Sequence, residues 1–249
     1  MSFNVLVVIF FFLHMVGSVF SQPQSVDELI KQMQSPKWQD REQAVSRLVA
    51  LPEGAKTDAV KKILIDELEK EFDRIQKGTF EGDGEQEYYS ELYDEVSNMR
   101  DERALPFFIK LGSPTALAKY GDKGIPVILE KLDKTATCSE SLAYVHILAE
   151  ALEKKEQGYT PVGATRQSIK KTMITALKKY KQPQENIEWY EKRARECANV
   201  RMEVVKGLGH LAETSEADVI PIIKSIAMDD PFSAVRDEAQ YTLSKLGKK

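Results

Sequence analysis

The sequence predicts an all-α fold, a solenoid of stacked antiparallel helix pairs, on three observations. The first is self-similarity: "VRMEVVKGLGHLA" from Val200 and "VRDEAQYTLSKLG" from Val235 coincide in register at a spacing of 35 residues. A period of this length marks a stacked repeat protein. The second is a stripe, R-x-x-[A/V]-x-x-x-L-x-x-L, whose offsets of 0, 3, 7 and 10 fall on one side of a helix. The third is that apolar-polar alternation of the strand kind is short and quickly interrupted everywhere.

The stripe recurs as Arg41–Ala44–Leu48–Leu51, Arg201–Val204–Leu208–Leu211 and Arg236–Ala239–Leu243–Leu246, with a weaker copy at Arg166–Ile169–Met173–Ala176. Leu48, Leu208, Leu211, Leu243 and Leu246 are therefore expected to be buried as one continuous core. Six residues before the arginine stands a polar residue followed by proline: Ser35-Pro36, Thr160-Pro161 and Asp230-Pro231. Proline cannot continue a preceding helix and pushes the residue before it toward extended backbone, so each pair marks a turn between helices. Capping boxes Ser25-x-x-Glu28 and Ser215-x-x-Asp218 open the helix before the turn. The copy at Arg201 lacks the polar-Pro pair.

Between these copies the chain is irregular. Ala59–Lys77 reads as one long helix with Ile63, Leu64, Leu68, Phe72 and Ile75 on a broad face, and Ser139–Leu152 as another. Ala116–Asp133 carries the end of one helix and the start of the next, with Gly121 and Gly124 in the turn. Gly78–Glu87, "GTFEGDGEQE", reads as a turn-rich acidic loop.

The front of the chain carries a different signal. Residues 1–21 hold no Asp, Glu, Lys or Arg, Val5–Leu13 is unbroken apolar, and Val19 and Ser21 are small enough for a peptidase site before Gln22. This is the pattern of a cleaved export signal, too short for the ~20 residues of a membrane crossing. The alternative is an N-terminal membrane anchor. The expected organisation is a signal at 1–21 and a helical repeat domain over 22–249, with clearest repeats at 25–51 and 160–247 and an irregular middle at 78–160. A secreted or periplasmic place follows, with no stable membrane insertion once the signal is removed.

A formal charge of −4 gives the chain no general attraction to nucleic acid or anionic lipid. Cys138 and Cys197 are too few for a disulfide-built scaffold. In an oxidising compartment they could pair, but they stand 59 positions apart, and repeats touch mainly their neighbours. Two free, buried thiols are the expectation.

"EADVIPIIKSIAMDDPFSAVRDEAQYTLSKLG" resembles a HEAT repeat, of the short variety called PBS-lyase-like. The resemblance implies a right-handed α-solenoid of HEAT-like antiparallel helix pairs, with helix B on the concave side. It also implies a polar ladder of a turn Asp and an Arg six residues on, matched here by Asp230 and Arg236. Ser35 and Thr160 replace the Asp at the earlier turns. Arg41, Arg201 and Arg236 are read as structural, since a guanidinium on a buried stripe must be paired.

Chemistry is sparse. His146, His210, Cys138 and Cys197 show no metal-ligand spacing, so no metal or other cofactor is expected. The paired His-Glu dipeptides of the HEAT-like deoxyhypusine hydroxylases fail here, because His146 precedes Ile147 and His210 precedes Leu211. His146 reads as a core-edge histidine and Cys197 as packing. No nucleophile-base motif is present, and the loop Glu81–Glu85 lacks the order of a calcium loop. The expected function is a non-catalytic scaffold or adaptor binding protein; the alternative is an enzyme, lyase-type or chaperone activity on the same scaffold.

Where would a partner sit? Helix offsets 1, 5 and 9 point away from the stripe at about 100° per residue. Across three copies they place Lys171, Lys206, His210, Tyr241 and Lys245 on one expected ridge. An acidic, extended segment of another protein is the expected occupant, and the plain alternative is solvated lysine.

Overall fold

The computed structural model describes residues 24–79, 82–153, 160–180, 189–214 and 216–247. The expected signal at 1–21 and the Ser215 cap lie outside the described residues. Those described are all-helical and include no strand. The chain divides into two compact units at Glu95–Val96.

The first unit opens with α1 (Val26–Gln32) and α2 (Trp38–Val49), packed as a hairpin. The capping box at Ser25 is formed: Glu28 N donates to Ser25 Oγ at 3.3 Å, and Ser25 N to Glu28 Oε2 at 2.8 Å. Two orphan amides at the helix start are thereby satisfied. In the Pro36 turn, Ser35 Oγ donates to Asp40 Oδ2 at 2.7 Å, fixing the chain's entry into α2. Helix α3 (Asp58–Gln76) starts at the Thr57 cap and is long, as its apolar face predicts.

Helix α4 (Asp83–Met99) corrects the expected loop over Gly78–Glu87. Ahead of it, Gly78 and Gly82 stand in the left-handed region at φ 68° and 129°. The acidic residues beyond Gly82 form the first turn of a helix, where the amide end of the macrodipole favours negative charge. Glu85 is drawn inward to pair with Arg74, and Tyr88 and Leu92 are fully buried.

The second unit runs through α5 (Leu105–Leu111), α6 (Pro114–Lys119), α7 (Ile125–Lys134), α8 (Cys138–Leu152), α9 (Gly163–Lys179), α10 (Trp189–Glu213), α11 (Ile220–Asp229) and α12 (Ser233–Leu246). Gly112 closes α5 at φ 74°, a left-handed position that glycine adopts without a Cβ clash. Gly124 enters α7 so close to α6 that a Cβ would lie 1.8 Å from the Leu117 carbonyl oxygen.

Helices α8, α10 and α12 form a row: α10 packs against both of the others. On them sit α7, α9 and α11, each packed against its own member of the row, and α7 also meets α9. The row is tight because small residues line its seams. Gly207 of α10 faces Met173 and Ala149, and Gly209 faces Thr242. Leu208 and Leu211 are fully buried at the centre, as is Leu48 in the first unit.

Leu243 and Leu246 depart from expectation: both are half-buried. They occupy the stripe positions of Leu208 and Leu211, but α12 ends the described row, and no described helix packs on its far edge as α12 packs on α10.

The cysteines also correct the expectation. Cys138 and Cys197 form a disulfide with Cα atoms 5.0 Å apart. The separation of 59 was misleading because α8 and α10 are adjacent in the row although α9 intervenes in sequence.

Candidate functional site

The stripe arginines Arg41, Arg201 and Arg236 are each hydrogen-bonded to carboxylate or carbonyl oxygens. In the first unit Arg41 is 2% exposed and bound on every side. Nε donates to Glu67 Oε1 and Nη2 to Glu71 Oε1, both at 2.6 Å, while Nη1 reaches the Ser35 and Pro36 carbonyls at 3.0 and 3.1 Å. Arg74 adds a second cation to Glu71, and the Tyr88 hydroxyl donates to Glu67 at 3.1 Å. Burial opposes the Arg41 cation, yet the charges of Glu67 and Glu71 and their hydrogen bonds outweigh it and raise its pKa. For Glu71 the balance falls the other way. Desolvation exceeds the help from Arg41 and Arg74, and its pKa is raised. Glu67 and Glu71 lie one turn apart on the buried side of α3, a spacing visible in the sequence whose meaning needed the facing arginine.

In the second unit the rung spans two helix pairs. Arg201 holds the Asp230 carboxylate through Nε at 2.8 Å and Nη2 at 3.0 Å, a two-pronged pairing. Its Nη1 donates to the Tyr180 carbonyl at 2.9 Å, where α9 ends. Arg201 lies inside a 25-residue helix, so it has no turn of its own and takes the orphan carbonyl of the preceding helix instead. Arg236 donates to the Asp230 carbonyl at 2.6 Å, as Arg41 does to that of Ser35. Asp230 is thus bonded by both arginines, its carboxylate by Arg201 of the preceding helix pair and its carbonyl by Arg236 of its own.

Four of the five ridge residues stand on the adjacent helices α10 and α12. Lys206 and His210 are half-exposed on α10; Tyr241 and Lys245 are exposed on α12, with Lys245 Nζ 4.4 Å from the Tyr241 ring centroid. Lys171 does not join them. It belongs to α9, which uses Ile169, Met173 and Ala176 to pack inward, so Lys171 points the opposite way beside Lys170 and Lys178. The 35-residue step from Arg166 to Arg201 passes from one layer to the other, whereas the step from Arg201 to Arg236 stays within the row.

The four are not a purely cationic strip. Lys206 Nζ donates to Glu203 at 2.6 Å. Burial disfavours its charge, but Glu203, with Glu238 and Glu153 nearby, raises its pKa overall. Burial likewise works against the Glu203 carboxylate, and hydrogen bonds from Lys206 and His146 lower its pKa despite that. His146 is half-exposed rather than set in a core edge: Nδ1 lies 3.0 Å from Glu203 and Nε2 3.3 Å from Glu150. The His146–Glu150 spacing was legible as one helical turn; Glu203 was not, because it arrives from α10.

Between the disulfide and this histidine the seam of α8 and α10 opens into a shallow cavity of about 360 Å³, lined by Ser139, Leu142, Ala143, His146 and Glu203. Among the described residues no group of three His, Cys, Asp or Glu is placed to hold a metal ion, and no helix is long and apolar enough to cross a membrane.

Comparison with protein-family models, curated proteins and solved structures finds no match to this chain.

Proposed function

We propose that this chain is a non-catalytic, exported scaffold of HEAT-like helix pairs, a right-handed α-solenoid whose α10–α12 surface holds an extended segment of another protein. The observation that carries the reading is the row α8–α10–α12, in which Arg201 binds the turn of the next pair through Asp230. Such a row presents outward side chains at regular intervals, which is what an extended ligand needs. The disulfide supports an oxidising compartment, in keeping with the signal-like residues 1–21.

The occupant is a segment carrying acidic side chains. Its carboxylates would replace Glu203 at Lys206 and meet His210 and Lys245, with Tyr241 offering an exposed ring. Because Lys206 is already paired, binding exchanges one carboxylate for another, and the affinity should be modest and fall with salt.

The test is capture by the chain lacking residues 1–21 from the exported fraction, with mass spectrometry of what is retained and the Lys206→Glu/Lys245→Glu variant beside it. Retention of a discrete partner by the parent, reduced in the variant at unchanged helicity, is the expected result. Equal retention by both, with helicity intact, would place the partner elsewhere and overturn the reading.

A further inference from the structure

Glu203 is shared by two groups that compete for its charge. Its side chain, on α10, is 13% exposed. One oxygen accepts from Lys206 Nζ on the same helix at 2.6 Å, and the other lies 3.0 Å from Nδ1 of His146 on α8. Nε2 of the same ring lies 3.3 Å from Glu150, one turn further along α8. Both ring nitrogens therefore face carboxylate oxygens, which accept hydrogen bonds and do not donate when ionised. A neutral imidazole has one N–H, so it satisfies one of these contacts and turns a lone pair toward the other. Only the cation, with two N–H groups, satisfies both. The surrounding charges are Glu150 on α8 itself, Glu203 and Lys206 on α10, and Glu238 on α12 with Glu153 at the end of α8, both of which act on Lys206. Helices α6 and α7, also packed on α8, bring His146 no ion-pair partner among the described residues.

From this geometry we infer that His146 is a proton sensor for the α10–α12 strip: once protonated, it takes over Glu203 and leaves Lys206 to an incoming acidic segment. The inference rests on the binding reading given above and supplies its regulation. With the ring neutral, Lys206 and Glu203 cancel, and a carboxylate that captures Lys206 leaves Glu203 largely buried without a cation, which is costly. With the ring charged, Glu203 keeps a cation when Lys206 turns to the ligand, and His146, Glu203 and Lys206 together are positive. Imidazole is the side chain whose ordinary charge change falls near neutrality. Because the liganded state holds the proton more tightly, affinity rises as pH falls.

Two measurements on the full chain test this. The first needs no ligand: the titration midpoint of the His146 ring by nuclear magnetic resonance, its signal identified by its loss in His146→Gln. Glu203→Gln should lower that midpoint by roughly half a pH unit or more, and Lys206→Gln should raise it, since one change removes the anion and the other a rival for it. The second is the affinity for a labelled oligo-aspartate peptide, which stays ionised in mild acid. It should bind roughly threefold to tenfold more tightly at about pH 5.5 than at about pH 7.5. That gain should persist in His210→Gln, which removes the imidazole of the strip itself, and vanish in His146→Gln. By reciprocity, saturating peptide should raise the His146 midpoint of the parent. A midpoint indifferent to Glu203→Gln at intact helicity, or a gain kept in His146→Gln, overturns the regulation and leaves the strip standing. No binding of the peptide at either pH overturns the strip and the regulation with it.

Discussion

Removing the Cys138–Cys197 bond is the sharpest test of the packing of the second unit. The bond joins two helices adjacent in the row and closes a loop of 59 residues. In the chain-entropy treatment such a loop restricts the unfolded ensemble by about 4 kcal/mol. For a domain of this size each kcal/mol corresponds to about 2–4 °C, so the melting midpoint of the Cys138→Ala/Cys197→Ala variant should fall by roughly 8–16 °C. Both cysteines are buried, so the alanine pair removes little volume and the entropic part should dominate. The assay is thermal and urea unfolding followed by far-ultraviolet circular dichroism, on the parent, the parent with reductant and the double variant. Reductant should bring the parent close to the variant and leave the variant itself unmoved. Free thiols in the untreated parent, or equal midpoints for all three samples, would refute the pairing and with it the adjacency of α8 and α10 near their starts.

Other substitutions probe the arginines and the row. Leu208→Ala, at a fully buried site, should cost roughly 2–5 kcal/mol, and Leu243→Ala clearly less because it is half-covered, as urea midpoints would show. Arg41→Ala leaves Glu67 and Glu71 buried without their main cation and should cost roughly 3–5 kcal/mol by the same measurement. The raised pKa of Glu71 means that folding favours its protonated form: its contribution is complete below the ordinary value of 4.5 and is lost as pH rises through the folded value. Glu71→Gln should therefore remove a fall in stability with rising pH. Gly124→Ala drives a Cβ into the Leu117 carbonyl and should cost roughly 1–3 kcal/mol, whereas Gly207→Ala meets the flexible end of Met173 and comes no nearer than 3.4 Å to the Ala149 Cβ, and should cost less.

The helical class was legible because helix offsets and caps are local properties. The stripe placed Leu48, Leu208 and Leu211 in the core, and the cap at Ser25 formed as its residues predict. What the sequence hid was which helices become neighbours. A period of 35 gives the distance between equivalent residues but not the layer in which each copy lies. That is why Lys171 falls away from Lys206, and why a separation of 59 became a bond. Charge was misread for a related reason. Lys206 is one turn from Glu203, so the lysines counted as a basic ridge include one already neutralised by its own helix. Gly78–Glu87 was misread because glycines and acids suit both a loop and the turn-then-helix start seen at Asp83.

The repeated arginine shows how one local motif joins different neighbours. At Arg41 and Arg236 the guanidinium reaches back to the carbonyl of the polar residue in its own turn, which needs only the six-residue spacing. That half of the interaction is written locally, so it survives whether the residue is Ser35 or Asp230. The second half reaches forward, and its acceptor differs: two glutamates of the long helix α3 for Arg41, the turn aspartate of the next pair for Arg201. Since a buried guanidinium without an anion is strongly disfavoured, each arginine admits only a neighbour that brings a carboxylate to that place. Apolar stripes alone would pack against any similar stripe. The arginine is therefore expected to act as a register pin while the leucines beside it supply the cohesion. Replacing Arg201 and Asp230 together by apolar residues should keep stability but lose the single packing register, and an unchanged, unique packing in that variant would refute the idea.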